Sequence, residues 1–351
     1  MSQALKTGEL AAKVVAWQQQ HGRNSLPWQN TQDPYRVWLS EIMLQQTQVA
    51  TVLGYFDRFL TAMPTVQHLA AASLDEVLGL WSGLGYYSRA RNLHRCAQAV
   101  VDLHDGVFPR TAELLVTLPG IGRSTAAAIS SLCFGERVAI LDANVKRVVT
   151  RVTGFAGDLA QAAQERRLWD AASDLLPAPQ AAARTMARYT QGMMDLGATL
   201  CLPKKPACVV CPLNTDCRAH AEGDPERYPV RTRKLKRSSQ SIWLLWAQSA
   251  DGSVWLAPRP TPGVWAGLQC FPLFESEAAL RSALAPQQQA NLQVEPTFVH
   301  VLTHKDLHLH PWRLELAAGA DPGELPGRWV SALQWPTAGL PAPIRKLLEK
   351  A

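Results

Sequence analysis

The chain has no uninterrupted apolar run of the about 18–20 residues that a membrane-crossing helix needs. Its start, MSQALKTGELAAKVVAW, lacks the basic opening, apolar centre and small-residue cleavage site of a secretory leader. These two absences make the cytoplasm the default compartment, where thiols stay reduced and disulfides are scarce. No fixed-period repeat runs through the sequence. Wholesale disorder is also excluded, because 47% of the 351 residues are apolar and a packed core is within reach. The length suits one large domain or two ordinary ones.

Charge is sparse and unevenly placed. Residues 241–351 hold eight Lys/Arg and nine Asp/Glu, a net of −1, whereas residues 1–240 hold 27 and 20, a net of +7. A polyanion would therefore meet the first part, although an excess of this size also occurs on ordinary soluble surfaces.

Residues 5–225 read mostly as helices. Apolar residues recur at helical spacing in Tyr35, Trp38, Leu39, Ile42, Met43, Val49, Val52, Leu53 and Phe56. They do so again at Leu114, Leu115 and Leu118, and at Leu168, Leu175 and Leu176. Residues 228–240, YPVRTRKLKRSSQ, hold five basic residues and no acidic one, which reads as an exposed basic linker. Beyond it the texture changes. SIWLLWAQ and SVWLAPRP flank an Asp-Gly turn as two strands, further short apolar runs follow, and ESEAALRSALA is helix-like. Residues 241–351 thus read as a separate, smaller α+β domain.

Four cysteines crowd into CLPKKPACVVCPLNTDC, residues 201–217, at the spacing C-x6-C-x2-C-x5-C. Structural zinc and an iron–sulfur cluster both take four thiolates, and residue types alone do not separate them. Cys96, Cys133 and Cys270 lie in apolar surroundings and read as core residues. A second motif is LPGIGRSTAAAI, residues 118–129. Gly120 and Gly122 permit a tight turn, and the following helix start offers bare amides to a phosphate. In VAILDANVKRV, residues 138–148, an apolar run ends in Asp142, which alone would be an ordinary N-cap. In WLSEIMLQQTQVATV, residues 38–52, Glu41 interrupts an apolar helix; alone it would be a solvated glutamate.

Taken together, these motifs carry a resemblance. The cysteine spacing resembles the [4Fe–4S] loop of the endonuclease III superfamily of DNA glycosylases, and LPGIGRSTAAAI resembles its helix-hairpin-helix. SEIMLQQTQV, GLGYYSRARNL (83–93) and LPWQ (26–29) resemble the MutY-type adenine DNA glycosylases of that superfamily, and the match continues in order through the last domain. The resemblance implies a mostly α helix-hairpin-helix DNA glycosylase fold with a [4Fe–4S] loop, plus a C-terminal α+β Nudix-like domain. The implied boundaries are a glycosylase domain at 1–227, a basic interdomain linker at 228–240 and a MutT/Nudix-like domain at 241–351.

The implied activity is removal of adenine opposite 8-oxoguanine, and opposite guanine, from double-stranded DNA by hydrolysis of the N-glycosidic bond. The resemblance assigns Glu41 as the acid that protonates adenine N7, Asp142 as the carboxylate facing the sugar cation, and Asn144 as its orienting neighbour. A carboxyl on an apolar helix suits the first role, because desolvation holds its proton. The resemblance places Arg23, Trp28, Gln191 and Ser124 in the adenine pocket. It makes Gln46, Thr47 and Tyr86 DNA contacts, with Gln46 and Tyr86 as wedges and Tyr87 left to the core. Gly120, Gly122, Lys204 and Lys205 would meet DNA phosphates, and Cys201, Cys208, Cys211 and Cys217 would hold the cluster. The expected setting is a cytoplasmic monomer at the bacterial nucleoid.

Three departures from the family pattern matter. Strand-cutting members of the superfamily carry a Schiff-base lysine where this chain has Ser124, so base removal without lyase action is expected, with Lys146 a source of weak adventitious lyase activity. Ala143 stands where the family usually has glycine. The family's Phe-Ser-His loop for 8-oxoguanine is Leu302-Thr303-His304 here, which leaves Thr303 and His304 as the recognition pair. The Nudix carboxylate helix is absent, so no pyrophosphatase activity is expected. A metal site from His304, His308 and His310 is a weaker reading than alternating strand histidines. Two other functions stay open. One is an endonuclease III-like pyrimidine glycosylase/lyase, which Ser124 and the last domain oppose. The other is a non-catalytic iron–sulfur DNA-binding protein, which the paired Glu41 and Asp142 oppose.

Overall fold

The computed structural model describes residues 7–232 and 236–350; Arg233, Lys234 and Leu235 of the basic stretch, and the chain ends, lie outside the described residues. The chain divides into two compact units. The first comprises the described residues of Met1–Phe56, Met63–Ala70 and Arg95–Lys234; the second those of Asp57–Ala62, Ala71–His94 and Leu235–Ala351. The second unit thus includes 57–62 and 71–94 from the helical part of the chain, beside the residues after the basic stretch.

Twelve α-helices precede the first strand among the described residues. They are α1 (Thr7–His21), α2 (Pro34–Met43), α3 (Val49–Ala62), α4 (Val66–Ala71), α5 (Leu74–Trp81), α6 (Ser88–His104), α7 (Ala112–Leu115), α8 (Arg123–Phe134), α9 (Ala143–Thr153), α10 (Ala162–Asp174), α11 (Ala183–Thr199) and α12 (Arg218–Ala221). Local chemistry sets several boundaries. Asp33 accepts the Tyr35 amide at 2.9 Å with Pro34 in the first turn of α2. Ser73 and Glu76 form a reciprocal capping box on α5. Helices α8 and α9 close on Gly135 and Gly154, whose φ values of 71° and 63° are left-handed.

The core of the first unit forms where α9 and α11 pack with α1, α8 and α10. Val145, Val148, Val149 and Val152 meet Met186, Tyr189, Met193 and Leu196 there, all buried. Each such side chain contributes roughly 2 kcal/mol by leaving water. The apolar pattern of the sequence is mostly realised, but Leu53 and Leu114 lie on exposed faces. Cys96, Cys133 and Cys270 are buried, as residue type predicts.

The second unit carries an eight-stranded sheet: β1 (Ser238–Ser249), β2 (Val254–Pro258), β3 (Gln269–Cys270), β4 (Leu273–Phe274), β5 (Gln293–Val294), β6 (Phe298–Val301), β7 (Lys305–Leu316) and β8 (Arg328–Val330). Its path is β3-β2-β1-β7-β5. The long strands β1 and β7 run parallel, with Trp243 beside His310. The Asp251-Gly252 turn joins β1 to antiparallel β2, and Gly252 takes a φ of 80° that favours glycine. ESEAALRSALA supplies the helix α13 (Glu277–Ser282), capped by Ser276. Leu245, Leu280, Trp312 and Leu314 meet in this unit's core.

Candidate active site

Two candidate carboxyls, Glu41 and Asp142, lie in the first unit. Glu41 sits on α2 between Ser40 and Ile42, both buried, and is itself half-buried. Desolvation by the surrounding protein pushes its carboxyl up from 4.5 to about 7. The negative charge of Asp142 adds to that rise, and Arg23 opposes it.

Asp142 caps α9 and accepts the Val145 amide at 2.6 Å. Burial raises its carboxyl as well, but hydrogen bonds from the Val145 and Asn144 amides and the charges of Arg147 and Lys146 pull it back. Desolvation is the largest influence on both groups and both are raised, but Asp142 has two amide donors and two cations opposing the rise, whereas at Glu41 only Arg23 opposes it and the Asp142 charge adds to it. Asp142 is thus an N-cap that is also half-buried, and its charge bears on Glu41.

Neighbours hold Asp142 in place. Ser124 Oγ accepts the Leu141 amide at 3.1 Å, which pins the residue before Asp142 to the first turn of α8. Arg147 donates to Asn144 Oδ1 at 2.9 Å and to the Cys201 carbonyl at 2.6 Å. It also donates to the Gly197 carbonyl. A Cβ on Gly197 would lie 2.6 Å from Asn144 Cβ and 2.9 Å from its carbonyl oxygen, so α11 passes α9 too closely for any side chain there. Lys146 is ion-paired with Glu165.

The adenine-pocket residues separate into two groups. Trp28, packed edge-on against Phe56, and Gln191 line a cavity of about 440 Å³ together with Gln29, Gln32, Arg184 and Arg188. Neither Arg23 nor Glu41 lines it. Arg23 instead donates Nε to Asp195 Oδ1 at 2.7 Å and its backbone amide to Oδ2 at 3.1 Å. Gln191 donates to the same Oδ1 at 3.1 Å. Asp195, fully buried, is the residue that the sequence reading missed. Its signal was present: it is an acid in the apolar stretch GMMDLGA, the feature that singled out Glu41, four residues after Gln191 on one helix face.

Three of the DNA-contact candidates have an unusual backbone. Five described non-glycine residues have positive φ, and three of them are Gln46 (57°), Tyr86 (49°) and Lys205 (48°). Such strain concentrates at functional sites. Gln46 and Tyr86 are exposed, and Thr47 is half-buried. Tyr87 is half-buried rather than core; its hydroxyl donates to the Leu340 carbonyl at 3.0 Å. In the hairpin between α7 and α8, Gly120 takes a φ of 76° that favours glycine. Gly122 has an ordinary φ of −84°, caps α8 without a side chain and has nothing within 4 Å of a would-be Cβ. Its value is the open approach to the α8 amides.

Cys201, Cys208, Cys211 and Cys217 line one cavity with Arg151 and Leu213. Burial pushes the Cys211 thiol up to about 11 and raises those of Cys208 and Cys217, so these three would ionise there only with cationic partners. Arg151, itself buried, lies 3.3 Å from Cys201 Sγ through its guanidinium. No three His, Cys, Asp or Glu among the described residues converge closely enough for a single metal ion. Four thiols lining one cavity are the donor set that an iron–sulfur cluster takes. Lys204 projects from this loop and pairs with Glu226 at 3.1 Å.

In the second unit, Thr303 and His304 are exposed in the turn before β7. The Thr303 hydroxyl hydrogen-bonds the Tyr86 hydroxyl, which brings a wedge candidate and the recognition loop together. Arg237 donates to the Thr303 carbonyl at 2.9 Å. His310 stacks on Trp243 at 4.4 Å and bonds Thr297 at 3.1 Å.

Comparison with known proteins agrees with this arrangement. The model of the HhH-GPD superfamily base excision DNA repair proteins matches residues 39–173, and a NUDIX domain model matches residues 243–350. A protein named adenine DNA glycosylase from Buchnera aphidicola subsp. Acyrthosiphon pisum (strain APS) is 35% identical over 343 residues, covering 96% of this chain and 95% of its own length. Its namesake from Homo sapiens is 32% identical over 400 residues, covering 95% of this chain and 72% of its own length. Among solved structures, a thermostable thymine-DNA glycosylase aligns at a TM-score of 0.53 with 27% identity, over 62% of this chain and 97% of that one. A non-covalent endonuclease III–DNA complex aligns at 0.50 with 22% identity, over 63% and 99%, a likeness of fold alone. No described helix is long and apolar enough to cross a membrane.

Proposed function

The chain belongs to the adenine DNA glycosylase family, and from that premise we propose that it excises adenine opposite 8-oxoguanine, and opposite guanine, without cutting the strand. The observation that carries the mechanism is the pair of half-buried carboxyls: burial and the Asp142 charge raise Glu41 to about 7, and Asp142 has two amide donors and two cations beside it.

The target base leaves the stack to reach them. Glu41 gives its proton to adenine N7, which turns a poor leaving group into a neutral one. The C1′–N9 bond then breaks, and its electron pair departs with the base. The Asp142 carboxylate faces the sugar cation, by charge or by a transient bond to C1′. Glu41, now a carboxylate, takes a proton from the water that attacks C1′, and the products are free adenine and an abasic site. Ser124 supplies no amine for a Schiff base, and the pairing of Lys146 with Glu165 occupies the nearby one. This supports base removal alone.

Cys201, Cys208, Cys211 and Cys217 would hold a [4Fe–4S] cluster. The cluster would brace the loop that carries Lys204 and Lys205 to the phosphates and takes no part in bond breaking. Gln46 and Tyr86 would wedge the duplex, and Gly120, Gly122 and the α8 amides would grip its backbone. Thr303 and His304 would read 8-oxoguanine. The setting consistent with four reduced thiols is the cytoplasm.

The test is single-turnover reaction on duplexes carrying A opposite 8-oxoguanine, A opposite T and thymine glycol opposite A, with products resolved with and without alkali. Breaks only after alkali, and only from the first duplex, support the reading. Alkali-independent cutting at thymine glycol moves the chain to the pyrimidine glycosylase/lyases. Tight binding without product leaves a non-catalytic DNA-binding protein.

A further inference from the structure

Asp195 is a carboxylate with no exposed side-chain surface in the first unit. Its oxygens accept Arg23 Nε, the Arg23 amide and the Gln191 amide. Thr199 closes on its carbonyl at 2.8 Å. The chain before Arg23 is drawn in tightly: a Cβ on Gly22 would lie 2.5 Å from the Gln18 carbonyl and 3.1 Å from Asp195 Oδ2. A buried carboxylate with three donors is well satisfied and holds its partners rigidly.

The Arg23 charge also bears on Glu41. The groups bearing on Glu41 are Asp142 from the N-terminus of α9 and Arg23 from the segment after α1. The Cys133 thiol of α8 feels the Glu41 charge, and burial keeps it neutral by pushing it up to about 12. An arginine beside a general acid is an unfavourable neighbour, because its charge favours the carboxylate over the acid. A paired arginine is far less so.

We propose that Asp195 is a positioning residue of the catalytic pocket: it neutralises and aims Arg23, so that a cation can border Glu41 while Glu41 remains a proton donor. The proposal rests on Glu41 being the acid.

The experiment is the pH profile of single-turnover excision from an A opposite 8-oxoguanine duplex, between pH 5.5 and 9. It compares the wild-type chain with Asp195→Asn, Arg23→Gln, the double variant and Glu41→Gln. An uncompensated cation in a partly desolvated site lowers a neighbouring acid by about one pH unit. Asp195→Asn is therefore expected to move the alkaline limb down by about that much, with about tenfold less excision at pH 8 and about half the wild-type rate at pH 6. The double variant removes the cation as well and returns the limb toward its wild-type position, whatever its absolute rate. Arg23→Gln leaves an unpaired carboxylate and moves the limb up. A loss uniform in pH, an unmoved limb, or a double variant as low-limbed as Asp195→Asn overturns the proposal. Where circular dichroism shows Asp195→Asn unfolded, an unmoved limb in Arg23→Gln overturns it. Glu41→Gln separates the two failures. If it is inactive while the limb ignores Asp195, only the positioning role falls. If it retains wild-type excision, the acid assignment falls and takes the proposal with it.

Discussion

Replacing Gly197 by alanine separates stability from catalysis. Gly197 lies inside α11, has no left-handed φ, and touches α9 at Asn144, two residues after Asp142. A methyl group there would sit 2.6 Å from Asn144 Cβ and 3.0 Å from its carbonyl carbon, and an ordinary contact begins at 3.4 Å. The first turn of α9 must therefore move by about 0.8 Å, the difference between 2.6 and 3.4 Å. Overpacking of this kind costs ~1–3 kcal/mol. Alanine in place of glycine inside a helix returns ~1 kcal/mol. The net change is about 0–2 kcal/mol, a small fraction of what two folded units can lose. Catalysis has no such compensation, because the displaced turn carries Asp142 and Asn144. A misplacement near 1 Å at the reacting centre costs about 10²-fold in rate. Thermal melting and single-turnover excision, run on the same preparation, are the assays. Gly197→Ala should melt within a few degrees of wild type and excise adenine about 10²-fold more slowly. Wild-type excision at an unchanged melting point would show that the α9–α11 contact does not position Asp142.

Glu41→Gln should bind duplex normally and lose excision by about 10²–10⁴-fold. It should also be more stable than wild type at pH 8. The folded carboxyl titrates near 7 against an ordinary 4.5, so between those values the folded chain keeps a proton that the unfolded chain has released, and stability falls as pH rises through the window. Removing the charge recovers roughly 3 kcal/mol above pH 7, read as a melting point raised by several degrees; equal melting points at pH 5 and 8 for both chains would refute the burial argument. Cys211→Ser should lose absorbance near 400 nm in anaerobically purified protein and flatten the salt dependence of DNA binding, because Lys204 and Lys205 lose their loop. Retained colour would remove Cys211 from the ligand set. Thr303→Val, which deletes the hydroxyl bonded to Tyr86, should reduce the preference for 8-oxoguanine over guanine by about 1 kcal/mol, near fivefold, with excision opposite guanine unchanged. Equal losses on both duplexes would assign Thr303 to packing.

Much of this protein is written locally. The four cysteines reveal a loop of four thiols because the ligands lie within 17 residues of one another. Asp142 at the end of an apolar run is legible as a cap, since a cap needs only the amide three residues on. The glycine turn of LPGIG and the Asp251-Gly252 turn are equally short-range. Glu41 stood out as a charge on an apolar helix, but the sequence alone allowed a solvated glutamate there. Whether it keeps a proton depends on how much water the other helices remove and on Asp142, 101 positions away in the chain. Asp195 went unread because its partner Arg23 lies 172 residues earlier, and no spacing rule spans that distance. The pairing of Tyr86 with Thr303, 217 residues apart, and the crowding of Gly197 against Asn144 are of the same kind. Sequence alone determined which residue types are present and which short turns and helices they form. Tertiary structure decided protonation, pairing and aim, because desolvation, Coulomb forces and steric contact depend on distance in space, and the chain sets that distance only by folding.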